Sequence, residues 1–175
     1  MAWLSEFVEL NKKLHDRESF ACTKEPLNLF LKTQASKHAQ DKVSKTYVLL
    51  GTETLENGKS PICAFYTVSP SSIERKTLPE KISKRLPRYP IPVILIGQLA
   101  VNACYIGSGL GQITLIKALK FALSISDDLG GFAVIVDCLD DDAESFYLKF
   151  GFEELVRTNG KMRMFLPMKT IAQLP

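Results

Sequence analysis

The chain has 175 residues, 46% of them hydrophobic and 23% charged, and a formal net charge of +3 at pH 7. That length suits a single domain over residues 1–175 with a real core, and so small a positive excess does not announce nucleic-acid binding by itself. Cys22, Cys63, Cys104 and Cys138 lie far apart with no C-x-x-C pair, and only His15 and His38 accompany them, so the pattern argues against a metal site and for buried thiols.

The opening MAWLSEFVEL carries Glu6 and Glu9 and no basic n-region, so it does not read as a secretion signal. No apolar run approaches the ~20 residues of a membrane span. The expectation is a cytoplasmic protein without membrane contact. Trp3, Leu4, Phe7, Leu10 and Leu14 recur at helical spacing, which predicts an amphipathic helix over residues 3–16, packed on the domain or offered to a partner. Glu25-Pro26 starts a second helix, with Leu27, Phe30, Leu31 and Ala35 inward and a basic end at Lys37, His38, Lys42 and Lys45. Residues 46–50 and 62–68 read as strands joined by a turn at Asn57-Gly58. A connector follows over 69–92, in which Arg75, Lys76, Lys81, Lys84, Arg85 and Arg88 stand among five prolines, with a short helix expected over 78–86. Residues 93–101 are apolar enough for a buried strand and 113–126 have a helical apolar face, stopped by Gly130-Gly131. A second buried strand is expected over 132–139, then a helix over 143–150 capped by Asp140-Asp141-Asp142 and ended by Gly151, and a last strand over 163–168. The fold class is therefore α/β, mixed α and β around a central twisted mixed sheet.

The glycines Gly107, Gly109 and Gly111 sit where the strand turns into the helix. Without side chains they let a ligand approach the backbone, and the first N–H groups of a helix have no intrahelical partner. Together with the helix dipole these donors suit a pyrophosphate, each such bond being worth about 1.5–3 kcal/mol. The spacing is not the dinucleotide fingerprint, because Gln112 stands where its third glycine would fall, three residues after Gly109, and no Gly-Lys-Ser/Thr follows as in a nucleoside-triphosphate loop. A plain tight turn is the competing reading.

Leu99-Ala100-Val101 followed by Tyr105 to Gly111 resembles motif A of the GNAT N-acetyltransferases, although Ile106 stands where many members carry Gln. Asp140 to Phe152 (DDDAESFYLKFGF) resembles their motif B through Ala143, Tyr147, Gly151 and Phe152, with Asp140 where Asn is common. The resemblance implies a GNAT fold with helices on both faces of the sheet and a splayed cleft for acetyl-coenzyme A, without a metal. It implies that Leu99, Ala100, Val101, Ile106, Gly107, Ser108, Gly109, Leu110, Gly111, Gln112, Asp140 and Phe146 contact the coenzyme. Tyr147 would then protonate the departing thiolate. Taken as residues alone, Phe146, Tyr147 and Phe150 also read as core aromatics of a short helix.

The wider order of Phe20-x-Cys22, Pro26-Leu27-Asn28-x-Phe30-Leu31, residues 65–69, Leu86 to Pro92 and Leu99-Ala100-Val101 is similar to the GNAT-fold toxins of type II toxin–antitoxin systems. That similarity implies acetylation of the α-amine of aminoacyl-tRNA, inhibition of translation, a homodimer, and silencing by a small antitoxin of ribbon-helix-helix type. Ala21 and Thr23 replace the Asp and Gly common around the cysteine, and Gln98 replaces the usual Arg. Lys37, Lys42, Lys45, Arg85 and Arg88 are the candidates for tRNA phosphates, or else belong to ordinary solvated faces. No general base is obvious, and a free α-amine, with a pKa of about 7.7–8.0 against about 10.4 for lysine, needs little help to be neutral. Asp137, Asp140, Asp141, Asp142 and Glu144 are base candidates by proximity alone. The alternatives are a housekeeping enzyme acting on a small amine or a protein N-terminus, and a GNAT-fold binding module without turnover.

Overall fold

The computed structural model describes residues 2–175. The described chain divides into two compact units, one formed by residues 2–69 and 98–118, the other by 70–97 and 119–175.

In the first unit, β1 (Val8–Glu9), β2 (His15–Asp16), α1 (Glu25–Thr33), α2 (Ala35–Gln40), β3 (Lys45–Leu50) and the first ten residues of β4 (Ser60–Ile73) follow in order. The helix expected over 3–16 is not formed. Instead Trp3 bridges Gly51, the Leu4 N–H donates to the Leu50 carbonyl at 2.8 Å, Val8 and Glu9 pair antiparallel with Val48 and Tyr47, and the Leu10 N–H donates to Thr46. The open edge of β3 offers main-chain groups that a helix cannot satisfy. Burial also fails to follow a helical face: Leu4 and Leu14 are exposed, while Trp3 and Phe7 pack on Leu49, Cys63, Ala64 and Leu110.

The predicted second helix is broken in two at Gln34 (φ −122°). The Thr33 hydroxyl donates to the Leu29 carbonyl at 2.7 Å, a back-bond that bends helices. Antiparallel β3 and β4 place Val48 opposite Phe65, and the expected turn is made by Gly58 at φ +79°. Phe65 is fully buried with Phe20 at 5.3 Å and Phe30 at 6.4 Å between ring centroids, and Leu31, Ala35 and Ala100 complete this core.

In the second unit, β4 continues to Ile73, five residues past the expected end, so the basic connector begins at Glu74. It holds a 3-10 turn at Arg75–Thr77 and α3 (Glu80–Ser83), shorter than predicted. Next comes β5 (Ile91–Val101), whose last four residues belong to the first unit. Likewise α4 (Leu110–Leu129) starts in the first unit, three residues earlier than expected, and ends before Gly130 at φ +95°. The remaining elements are β6 (Ala133–Asp137), α5 (Asp141–Lys149), β7 (Glu153–Thr158), β8 (Lys161–Pro167) and α6 (Met168–Ile171).

Residues Ile94–Ile96 pair parallel with Val134–Val136, β6 pairs antiparallel with β8, and β8 with β7. Parallel and antiparallel ladders with interspersed helices make the class mixed α/β, as expected. Ile73, Leu78, Ile91, Val93, Ala133, Ile135 and Phe165 form this unit's core. The strand β7 carried no alternating apolar signal, because only Leu155 of its six residues is even half-buried. No helix among the described residues is long and apolar enough to cross a membrane.

Phe65 sits at the centre of the first unit's aromatic core, so Phe65→Ala is expected to destabilise the protein by about 3–5 kcal/mol. Urea unfolding followed by fluorescence or circular dichroism measures this; a loss below ~1 kcal/mol would contradict the packing described.

Candidate functional site

The first unit contains the glycine loop. Asn102 ends β5: its N–H donates to the Cys63 carbonyl at 2.8 Å, and its side chain accepts from the Cys104 N–H at 3.2 Å, capping the 3-10 turn Ala103–Tyr105. The Tyr105 carbonyl accepts both the N–H (3.1 Å) and the hydroxyl of Ser108, and the Ser108 hydroxyl oxygen accepts the Leu110 N–H at 3.3 Å. Gly107 and Gly109 adopt φ +82° and +85°, the left-handed region that glycine enters without strain. A Cβ at either position would meet nothing within 4 Å, so the need for glycine there is conformational rather than steric.

Regular bonding starts when the Ile113 N–H donates to Gly109 at 3.1 Å. Among the described residues, nothing accepts the N–H of Gly107, Gly109, Gly111 or Gln112. Ile106, Gly107, Ser108, Gly109 and Gln112 are exposed, Ile106 at 67%. Leu110 differs from expectation: its side chain is wholly buried with Leu49, Cys63 and Ala64, and its N–H is already used by Ser108. What remains is a short arc of free main-chain donors at the start of a 20-residue helix, suited to an anion.

The end of β5 lies in the same unit. Ala100 is buried in the aromatic core, Leu99 and Val101 are half-buried, and Val101 packs beside Tyr105 on the Leu110 cluster. Gln98, where arginine was the usual residue, gives its N–H to the Thr67 hydroxyl at 2.9 Å. Two of the motif residues read earlier prove to be structural. The Asn28 side chain accepts the Cys22 N–H at 2.7 Å and donates to its carbonyl at 3.1 Å, pinning the connection into α1. Burial raises the pKa of the Cys22, Cys63 and Cys138 thiols, Cys138 to about 11, so these are not nucleophilic thiolates. Cys104 alone is exposed.

The second unit carries the tyrosine. Asp140 caps α5, its side chain accepting the Ala143 N–H at 3.0 Å. Tyr147 is 8% exposed, between Phe146 at 5.3 Å and Phe152 at 5.2 Å. Burial pushes its phenol pKa well up, with a smaller push from Cys138, so its proton stays on. Of the acid candidates, Asp137 is clamped by Arg163 (2.7 and 2.9 Å) and Glu144 by Arg157 (3.3 and 3.0 Å). Neither is a free base.

The basic candidates divide. Lys45 is committed to Glu9 at 2.7 Å, which raises its pKa, and Arg75 donates to the Ser83 carbonyl at 2.6 Å. In the first unit Lys37 and Lys42, and in the second Arg85 and Arg88, are exposed and carry no described partner. No group of three or more His, Cys, Asp or Glu side chains that would hold a metal occurs among the described residues.

No protein-family model matches the chain. A probable toxin TacT of Sinorhizobium fredii (strain NGR234) is 30% identical over 173 residues, 94% of this chain and 92% of that protein. A tRNA-acetylating toxin of Mycobacterium tuberculosis (strain H37Rv) is 29% identical over 154 residues, 88% of this chain and 87% of that protein. Among solved structures, AtaT complexed with acetyl-methionyl-tRNAfMet superposes with a TM-score of 0.84 at 29% identity, covering 95% of this chain and 96% of that one. A tyrosine-to-phenylalanine variant of the AtaT toxin, bound to the C-terminus of the antitoxin AtaR and to acetyl-coenzyme A, gives 0.78 at 25% identity, covering 95% and 94%.

Asp140 separates a capping role from a charge role. Asp140→Ala is expected to cost about 1 kcal/mol of stability, whereas Asp140→Asn, which keeps the cap acceptor, costs only a few tenths. Thermal unfolding of both variants checks this, and equal losses would contradict it.

Proposed function

The chain belongs to the GNAT-fold acetyltransferase toxins of type II toxin–antitoxin systems, and from that premise we propose that it transfers the acetyl group of acetyl-coenzyme A to the α-amine of an aminoacyl-tRNA, so inhibiting translation. The observation that carries the reading is the arc of unused N–H groups at Gly107, Gly109, Gly111 and Gln112, where a pyrophosphate finds donors but no competing side chain. A plain tight turn needs the glycine conformations but gains nothing from leaving four donors unspent.

Acetyl-coenzyme A supplies an activated thioester. In this reading the loop amides hold its pyrophosphate, and main-chain groups of Leu99 and Val101 hold the amides of its pantetheine arm. The neutral α-amine attacks the thioester carbonyl, the N–C bond forms and the C–S bond breaks. Tyr147 gives its phenolic proton to the sulfur as charge develops there. The amine's proton leaves to water, because an α-amine this acidic needs no dedicated base, and the clamped Asp137 and Glu144 supply none. The unpaired Lys37, Lys42, Arg85 and Arg88 serve tRNA phosphates, with Lys45 the weakest member because Glu9 holds it.

Both units are read as parts of one acetyltransferase domain, placed in the cytoplasm where aminoacyl-tRNA is found. A homodimer and a ribbon-helix-helix antitoxin complete the proposed assembly.

Mass spectrometry of an aminoacyl-tRNA pool after reaction is expected to show one added acetyl group on the amino acid; acetylated peptides or polyamines without acetylated tRNA would replace this reading with the housekeeping one. Tyr147→Phe is expected to lower kcat by about 10²–10⁴-fold, and in the wild type no loss of kcat from Tyr147 ionisation should occur below about pH 10. Arg85→Gln with Arg88→Gln is expected to reduce the slope of log Kd for tRNA against log salt by about 1–2; an unchanged slope removes these residues from the tRNA surface.

A further inference from the structure

We propose that Trp3 and Tyr105 are positioning residues for the coenzyme: Trp3, carried in from the chain's beginning, closes the cluster that holds both ends of the 106–109 loop in its anion-binding shape. The inference rests on the reading of that loop as the pyrophosphate site. It adds a residue about a hundred positions away that neither motif contains.

The loop is a four-residue bridge between two anchors. Tyr105 precedes it and Leu110 ends it, and both pack on the same apolar cluster with Leu49, Cys63 and Ala64. Trp3 packs on that cluster too, its ring edge-to-face with Tyr105 at 5.3 Å between centroids and 89° between planes. The neighbouring Cys63 thiol, with burial, pushes the Tyr105 pKa to about 12. The Tyr105 carbonyl is also the hub of the loop, taking the N–H and the hydroxyl of Ser108, which in turn takes the Leu110 N–H. Fixing the ring therefore fixes the carbonyl, and the carbonyl fixes which amides are left unspent.

Trp3 is itself held. Its flanks are zipped to residues 50–52 by the Leu4 N–H to Leu50 (2.8 Å), the Thr52 N–H to Ala2 (3.1 Å) and the Trp3–Gly51 bridge. Gly51 is the residue the zipper requires, because a Cβ there would lie 2.7 Å from Pro61 Cγ and 3.5 Å from the Ala2 carbonyl oxygen. Further along, Glu6 reaches Lys117 of α4 at 3.4 Å, so the segment also touches the helix that the loop begins. A pre-shaped loop spends none of the coenzyme's binding energy on ordering itself. Loosening it weakens coenzyme binding and leaves the reacting atoms alone.

The test is calorimetric titration of the full chain with acetyl-coenzyme A, together with steady-state kinetics, for wild type, Trp3→Ala and Trp3→Phe. Trp3→Ala is expected to raise both Kd and KM for acetyl-coenzyme A by about three- to tenfold, the range an aromatic pair is worth, with kcat and the KM for aminoacyl-tRNA within about twofold of wild type. Trp3→Phe, which restores an edge-to-face ring, is expected to recover most of the loss. Unchanged coenzyme affinity in Trp3→Ala, a fall in kcat instead of a rise in KM, or no recovery in Trp3→Phe would overturn the proposal. Should Trp3→Ala not fold, Trp3→Leu keeps apolar bulk without the ring and is expected to show a rise in KM of about threefold or more; a wild-type KM in it would count against the proposal equally. Wild-type protein that binds no acetyl-coenzyme A would sink the coenzyme reading itself, an outcome distinct from wild type and Trp3→Ala binding alike.

Discussion

A backbone N–H withdrawn from its carbonyl partner must find another acceptor or stay in water. Four such groups at the start of α4 stay unspent in this chain, and the surrounding structure keeps them so. Left-handed glycines at 107 and 109 turn the chain. Ser108 consumes the donors and acceptors that would otherwise close the turn on itself. Leu110, sunk in the apolar cluster, fixes where the helix begins. The positive end of a 20-residue helix then adds to the donors. An anion is the complement of that arrangement, and it is the feature on which the proposed coenzyme site depends.

The second unit supplies chemistry of a different kind. Burial among Phe146 and Phe152 penalises the Tyr147 phenolate and keeps the phenolic proton on, as the proposed role of proton donor requires. Three of the five acids nearby in sequence are engaged: Asp137 by Arg163, Glu144 by Arg157, and Asp140 in part by the helix it caps. In the proposed reading, such a site suits an amine that is neutral already better than a lysine.

The parts of this arrangement that depend on local geometry were readable in the sequence. Glycines at alternate positions between an apolar run and an amphipathic one mark strand, turn and helix, and an acid at position 140, just before a helical run, reads as the cap that Asp140 makes with the Ala143 N–H. What depends on contacts distant in sequence was not. Trp3, Phe7 and Leu10 have helical spacing, yet the unpaired edge of β3 recruits them into extended chain, and nothing within residues 3–16 records that edge. β7 was invisible because an exposed edge strand need not alternate. At the site, Leu110 read as a ligand contact because motifs list neighbours without saying which side chains turn inward. Lys45 read as free because Glu9 lies 36 residues away. The loop's own anchor, Tyr105, lay inside the motif, but its partner at position 3 could only be found by folding the chain.

The central claim is that main-chain amides, and no side chain, hold the anionic part of the coenzyme. Its most direct measurement is an NMR titration of the ¹⁵N-labelled protein with acetyl-coenzyme A, following individual amides. The resonances of Gly107, Gly109, Gly111 and Gln112 are predicted to move downfield together, along one binding curve, and to slow in hydrogen exchange on saturation. Saturable binding that leaves those four amides unmoved, while residues elsewhere shift, would contradict the account.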